Sequence, residues 1–555
     1  MTTSEKVISR PVIQPEVLIV AAECKGLAKV GGLGDVVCDL SVALHKQGAK
    51  VAIVLPCYGS MEIPASAVPF FCYHVQFGGK RWQVEVLATD LKGVPVYLLK
   101  NDPFFGGKYS AVYIDSRVLK RGPFEDDAKR FAFFSAAVLE LLRVSRHFSG
   151  LKAIHCHDWH TGSLLFLLHM DERYKAYRQK LNTVFTLHNL HYQGSRPFEE
   201  NGGRPFYAFS DWFPALYREM KEKSSISRFK DPNLEIPCYN PMRTGILLAD
   251  YINTVSPTYA EEITLPDIRE THFFGGRGLE EDLRKIKEQN RLFGILNGID
   301  YDEYNTSRLK PSFEPELPGF SENRLAHKTK LLMGLKRHLE GLRLRSGTRC
   351  ANFPALRKKL ERYDPRSWLE RPLIVLVSRA TDQKISILLE KYRHRKIISL
   401  LLRREAGFIF LGNGELSREL AHVNRHENGF FVCAFDKTFA DMLYAGGDLF
   451  LMPSDFEPCG ISQLIAMRCG CLPLAHDIGG LRDTIRHEKT GFLYRGGTRE
   501  EVKAALLSSL DRALACYRNQ RDRWLHMQGE AMKNRFLWQN TARKYLALYK
   551  KDGGE

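Results

Sequence analysis

Short, wholly apolar runs, each leading into a segment with helical periodicity, recur along this chain, and the series begins twice. The first run is Val17-Leu18-Ile19-Val20, the pattern of a strand covered on both faces. A glycine-rich turn follows. Leu33, Val36, Val37, Leu40 and Leu44 then recur at helical spacing, with Lys46 in the last turn and Gly48 as the stop. Val51 to Leu55, closed by Pro56, reads as the next strand, and Val94 to Leu99, Ala153 to Cys156, Val184 to Leu187 and Ile252 to Val255, some of them broken by one or two polar residues, are later buried-strand candidates. The pattern restarts at Leu373 to Val377 and runs through Phe408 to Leu411, Phe430 to Cys433, Leu449 to Met452 and Cys471 to Leu474. The expected fold class is α/β, with two doubly wound parallel sheets covered by helices. Such sheets bind ligands at the carboxyl ends of their strands, so a cleft between two domains is the expected site.

A chain of 555 residues exceeds one ordinary core, in keeping with two domains. Asn297-Gly298-Ile299-Asp300, between the two series, is the candidate hinge. The stretch from about 310 to 370 carries no strand series and reads as a basic insertion. Between Ser321 and Glu370 stand 13 Lys or Arg against 5 Asp or Glu. A basic surface suits phosphorylated substrates or nucleic acid and does not choose between them. With no nucleic-acid module beside it, nucleic acid is the less favoured partner. No apolar run approaches the ~20 residues of a membrane helix, and Met1 to Pro15 lack the features of a secretory signal. The 12 cysteines are scattered, with no C-x-x-C pair, which favours thiols in a reducing compartment. A cytoplasmic protein is expected.

Five constellations carry chemistry. Lys29-Val30-Gly31-Gly32-Leu33-Gly34-Asp35 opens the first helix. There, glycines permit close backbone approach and free N–H groups favour an anion. His155-Cys156-His157-Asp158-Trp159-His160 ends a strand. It approaches the dinuclear-zinc pattern H-x-H-x-D-H, but Trp159 stands where an aspartate ligand is needed, and no metal is expected. Thr186-Leu187-His188-Asn189 is a third strand end. In Ser378-Arg379-Ala380-Thr381-Asp382-Gln383-Lys384, the two cations suit a diphosphate whose charge grows as a nucleotide leaves. The last, Pro453 to Gln463, includes Glu457, able to bond sugar hydroxyls, and a helix expected to begin near Gly460.

Together and in this order, these segments resemble the bacterial glycogen synthase and plant starch synthase family. Val255-Ser256-Pro257-Thr258-Tyr259-Ala260 and Gly294 to Asp300 add two more of its motifs, and the resemblance spans roughly Val17 to Asp483. It implies the GT-B fold: two Rossmann-like domains facing across a deep cleft, with the C-terminal helix returning to the first. The implied domains are 1–296 on the acceptor side, 297–530 for the nucleotide sugar, and 531–555 for the returning helix. The implied activity is transfer of glucose from ADP-glucose, or UDP-glucose, to the non-reducing end of an α-1,4-glucan, with retention and without metal or cofactor. Asp158, His188, Arg379, Lys384 and Glu457 are the implied catalytic set. Lys29, Gly31, Gly32, Asn189, Cys459, Gly460, Ile461 and Ser462 are the implied substrate-binding set.

The chain departs from the family at Val30 and Ile478, where threonine is usual, at Ile385, where glycine is usual, and at Asp455, where arginine is usual. Ile385 is expected to crowd the Lys384 loop, and Asp455 to reverse a charge beside the donor pocket. These departures motivate a second expectation: a synthase-fold protein with little or no catalysis that binds glucan or regulates partner enzymes.

Overall fold

The computed structural model describes residues 14–114, 126–199, 207–304, 320–345 and 353–550. Residues 310–319 and 346–352 of the expected insertion, the N-terminal 1–13 and the last five residues of the expected returning helix lie outside these. The chain forms two compact units. The first takes in the chain up to Pro266, Gly275–Asn297 and the segment from Trp538. The second comprises Asp267–Phe274 and Gly298–Leu537.

The strands, in chain order, begin with β1 (Val17–Val20), β2 (Val51–Pro56), β3 (Val68–Phe77), β4 (Lys80–Leu91), β5 (Val94–Lys100), β6 (Ala153–His157) and β7 (Asn182–Leu187). A two-residue antiparallel pair, β8 (Arg196–Pro197) and β9 (Cys238–Tyr239), is followed by β10 (Tyr251–Thr254) and β11 (Leu292–Gly294). The main sheet of the first unit has the order β11-β10-β7-β6-β1-β2-β5-β4-β3. It is parallel up to β5, and β4 and β3 are added antiparallel. The β1 side chains are buried without exception, as a continuous apolar run requires in a sheet covered on both faces. The β3–β4 hairpin is absent from the sequence expectation. In β3, Phe71, Tyr73, Val75 and Phe77 face the core while Cys72, His74 and Gln76 face out. Alternation of this kind marks a one-sided strand and differs from the continuous runs that mark the rest.

The second unit contains β12 (Leu373–Val377), β13 (Lys391–Tyr392), β14 (Arg395–Lys396), β15 (Gly407–Leu411), β16 (Gly429–Val432), β17 (Leu449–Met452), β18 (Leu472–His476) and β19 (Phe492–Tyr494). Its six-stranded parallel sheet has the order β16-β15-β12-β17-β18-β19. Both sheets are thus of the Rossmann type. The short β19 also went unread in the sequence.

Helix Phe320–Arg345 and helix Phe353–Glu361 occupy the basic stretch. They deliver Leu331, Leu332, Leu335, Leu339, Leu356 and Leu360 to the second core. Two of the basic side chains are structural. Buried Arg324 donates to the carbonyls of Ala445, Gly447 and Cys469. Lys328 donates to Asp448 at 2.8 Å. The positive charge here is therefore partly internal rather than a solvated face.

The final helix, Trp538–Leu548, packs on the first sheet. Its Tyr545 hydroxyl accepts from Asn253 Nδ2 at 2.8 Å, and the Tyr549 hydroxyl lies 2.8 Å from His155 Nδ1. No helix among the described residues is long and apolar enough to cross a membrane.

The β13–β14 hairpin turns through Arg393 and His394, at φ 46° and 70°. Such left-handed pairs favour Asn-Gly. Its base also sets Lys391 opposite Lys396, a like-charge pairing. Replacing Arg393-His394 with Asn-Gly is expected to stabilise the second unit by about 1 kcal/mol, read as a higher melting temperature in calorimetry.

Candidate active site

In the first unit, the candidate residues gather at the carboxyl ends of β1, β6 and β7. The turn after β1 carries Lys29, Gly31 and Gly32, and helix Gly32–Lys46 begins there. Lys29 Nζ lies 2.7 Å from Asp35. The sequence suggests free N–H groups in this turn, but the N–H groups of Val30 and Gly31 are already bound by Glu23, at 2.6 and 2.7 Å. An incoming anion is left with Lys29 and the remaining amides. Val30, one of the departures, is 54% exposed and disturbs no packing.

Asp158 follows β6 with φ 62° and ψ 178°, a backbone region that side chains other than hydrogen rarely enter and that costs of order 1–3 kcal/mol. Its carboxylate accepts the Trp159 N–H at 2.8 Å and is also bonded by the His188 backbone. Burial above all pushes its pKa up to about 8, with the Glu23 charge adding to the rise. His188, at the end of β7, is half-buried, and its Nε2 lies 2.9 Å from His157 Nδ1. Burial holds His188 down to about 3. The histidines of β6 are tied into the core. Thr186 Oγ1 sits 2.6 Å from His155 Nε2, and the other nitrogen faces Tyr549, as described above. Asn189 Oδ1 accepts the His191 N–H at 2.9 Å, which shapes the loop.

In the second unit, the ends of β12 and β17 come together. Lys384, on helix Asp382–Leu389, forms an ion pair with Glu457, and Ser454 donates to the same carboxylate oxygen at 3.1 Å. Their neighbours are joined as well: the Gln383 side-chain Nε2 donates to the Phe456 carbonyl at 3.0 Å, and the Asp455 N–H to the Gln383 carbonyl at 2.9 Å. Arg379 is exposed, and among the described residues its guanidinium has no acidic partner. The two cations therefore differ: Lys384 is held by a carboxylate, and Arg379 is open to an anion.

Cys459 is buried, and Gly460 takes φ 74°. Gln463 Nε2 donates to the carbonyls of both at 3.1 Å. Ile461 and Ser462 are half-buried, and the helix starts at Ser462, two residues past Gly460. Gly480 donates its N–H to the Glu457 carbonyl at 3.0 Å.

Two expectations about the departures are corrected. Ile385 does not crowd the Lys384 loop, because its side chain is fully buried in the second core. Asp455 leaves no uncompensated charge: Arg499 Nη1 lies 2.6 Å from its carboxylate, and Ser386 Oγ donates at 2.5 Å. The nine-tenths buried aspartate thus has its cation within the fold. Ile478 packs against the second core. Glu23, Tyr113 and Arg499 were missed by sequence reasoning, and Ser454, inside the last constellation, and Gly480 were given no role there. Of these, Glu23 had a visible signal, an acid placed at the carboxyl end of a strand.

Comparison with known proteins shows the family. Residues 16–285 match the starch synthase catalytic domain, and residues 371–512 match glycosyl transferases group 1. A glycogen synthase of Lactobacillus acidophilus is 32% identical over 96% of this chain and 98% of its own length. Glycogen synthase 2 of Geobacter sulfurreducens is 33% identical over 96% and 98%. Among solved structures, the catalytic domain of starch synthase IV from Arabidopsis thaliana, bound to ADP and acarbose, matches with a TM-score of 0.72 and 28% identity, covering 96% of this chain and 98% of that one. Sucrose-phosphate synthase from Thermosynechococcus elongatus, at 15% identity and a TM-score of 0.53 over 97% and 98%, shares the fold alone. Two Rossmann-like units, an ion pair joining the ends of β12 and β17, and full-length similarity place the chain in the glycogen and starch synthase family of glycosyltransferases.

Proposed function

We propose that this protein transfers glucose from ADP-glucose to the non-reducing end of an α-1,4-glucan, with retention and without a metal ion. The observation that carries the reading is the Lys384–Glu457 pair, held at the strand ends of the second unit. A cation and a carboxylate in one buried place suit opposite ends of a sugar nucleotide. The cation stabilises charge developing on the leaving diphosphate, and the carboxylate takes sugar hydroxyls. Arg379, exposed and unpaired among the described residues, supplies a second positive charge to the diphosphate. The ADP bound to the Arabidopsis starch synthase structure supports adenine over uracil. The acarbose in the same structure supports a glucan acceptor. In the first unit, neutral His188 and buried Asp158 serve the donor glucose and the acceptor side. The internal pairing of Asp455 and the burial of Ile385 favour catalysis over the non-catalytic alternative.

The test is glucose incorporation into glycogen from ADP-glucose and UDP-glucose separately, each with and without EDTA. Faster transfer from ADP-glucose, unchanged by chelation, is expected. Preference for UDP-glucose would overturn the donor assignment, and loss of activity with EDTA would overturn the metal-free one.

Gly480→Ala gives a sharper check on the second unit. A Cβ at this position would fall within 2.6 Å of the Cys459 carbonyl carbon and closer still to its oxygen. The backbone carrying Glu457 must then move. Turnover is expected to fall by about 10²-fold, the scale for a misplacement of ~1 Å, while circular dichroism stays that of the folded protein.

A further inference from the structure

Glu23 is 2% exposed and stands where the chain leaves β1. One of its carboxylate oxygens accepts both the Val30 and the Gly31 N–H, as described above. The other accepts the Tyr113 hydroxyl at 2.8 Å, and that hydroxyl lies 3.1 Å from His160 Nε2. The segment leading to Tyr113 is itself anchored. Fully buried Arg130 donates to the carbonyl of Phe104 at 2.9 Å and to those of Tyr109 and Ala111 at 2.8 Å. The turn is packed as tightly as it is bonded. A Cβ on Gly34 would sit 3.2 Å from Lys29 Cγ and 3.4 Å from Glu23 Cβ, so the Lys29 stem and Glu23 both lie close against Gly34.

We propose that Glu23 is a positioning residue for the transfer reaction, fixing the turn that presents Lys29 and Gly31 to the substrate without touching the substrate itself. The inference rests on the reading of the protein as an ADP-glucose-dependent synthase. Hydrogen bonds to a carboxylate are roughly twice as strong as neutral ones. Two of them on adjacent amides define the course of the turn at the two residues that follow Lys29. Arg130, Tyr113 and Glu23 thus form a continuous rigid support from the helix Asp127–Val144 to the glycine turn. Lys29, whose ammonium faces Asp35, is free to meet an anion only where this support places it.

The test is a double-mutant cycle on Glu23→Gln and Lys29→Ala, with KM measured separately for ADP-glucose and for glycogen. Glu23→Gln keeps the shape and removes the charge. It is expected to raise the KM for ADP-glucose on the order of tenfold and to leave the KM for glycogen unchanged. In the Lys29→Ala background the same substitution is expected to add little, because coupled residues are not additive. Tyr113→Phe removes one bond to Glu23 and should shift the same KM in the same direction by less. It carries the test if Glu23→Gln fails to fold. A wild-type KM in Glu23→Gln, or in Tyr113→Phe where that variant carries the test, overturns the inference. So does a full additive loss in the Lys29→Ala background. An inactive wild-type protein would count against the synthase reading instead.

Discussion

Glu457→Ala and Lys384→Ala are each expected to lower kcat by on the order of 10²- to 10³-fold, the scale for losing one preorganised donor or charge at a reacting centre. The side chains are 7% and 15% exposed, so each substitution also strips a buried partner from its counter-charge. Breaking such a pair costs roughly 3–5 kcal/mol of stability, and a fall in melting temperature should accompany the loss of rate. Two further variants separate the effects. Glu457→Gln retains the Ser454 contact and the volume, so it should hold its fold while losing rate. The double variant Lys384→Ala with Glu457→Ala removes both charges together. It should recover stability relative to either single variant and recover no activity. Initial rates and calorimetry on the four proteins check this. Normal turnover in Glu457→Gln would remove the pair from the chemistry.

The first unit is expected to lose its structure on acidification well before the carboxylates of the protein are all protonated. Burial holds His155 and His160 down to about 3 and pushes His157 well below its ordinary 6.5. Unfolded, these imidazoles take up protons near pH 6.5, whereas folded they do not. The stability they carry is complete above pH 6.5 and is lost as pH falls toward 3. Asp158 works in the opposite sense. Its raised pKa of about 8 means that its contribution is present below its unfolded value of 3.8 and is lost as pH rises through 8. Between pH 6.5 and 4, three histidines therefore outweigh one aspartate. All three act in the same direction, against a protein whose whole stability is only ~5–15 kcal/mol. Tryptophan fluorescence followed against pH should show a transition between about pH 5 and 4. His160→Phe, which removes one such group, should move the midpoint to lower pH. A single transition below pH 3, unmoved by that variant, would contradict the argument.

Both sheets were legible in the sequence because buried parallel strands leave apolar runs, which β1, β2, β5, β12, β15, β16, β17 and β18 carry, whereas β6, β7 and β10 interrupt theirs with the buried polar residues His155, Thr186 and Asn253. The β3–β4 hairpin was not read because its apolar residues alternate, a weaker signal when runs set the expectation. The motif residues stand where their spacing suggests: Asp158 and His188 at strand ends, Lys384 and Glu457 after β12 and β17. What escaped was pairing at long range. Asp455 reads as a reversed charge until Arg499, 44 residues away, is seen against it. Glu23 reads as one acid among many until its carboxylate is seen holding the glycine turn. Single residues announce chemistry, whereas the partner that neutralises or positions them is supplied by the fold.

The most direct measurement is the chain length of a defined maltooligosaccharide incubated with ADP-glucose, read by mass spectrometry, with the new linkages assigned by NMR. The proposed function predicts a ladder growing by one anhydroglucose unit at a time, every added unit α-1,4-linked, and no ladder from Glu457→Ala. Folded wild-type protein that leaves the acceptor unextended with either nucleotide glucose, or that only hydrolyses the donor, would contradict it.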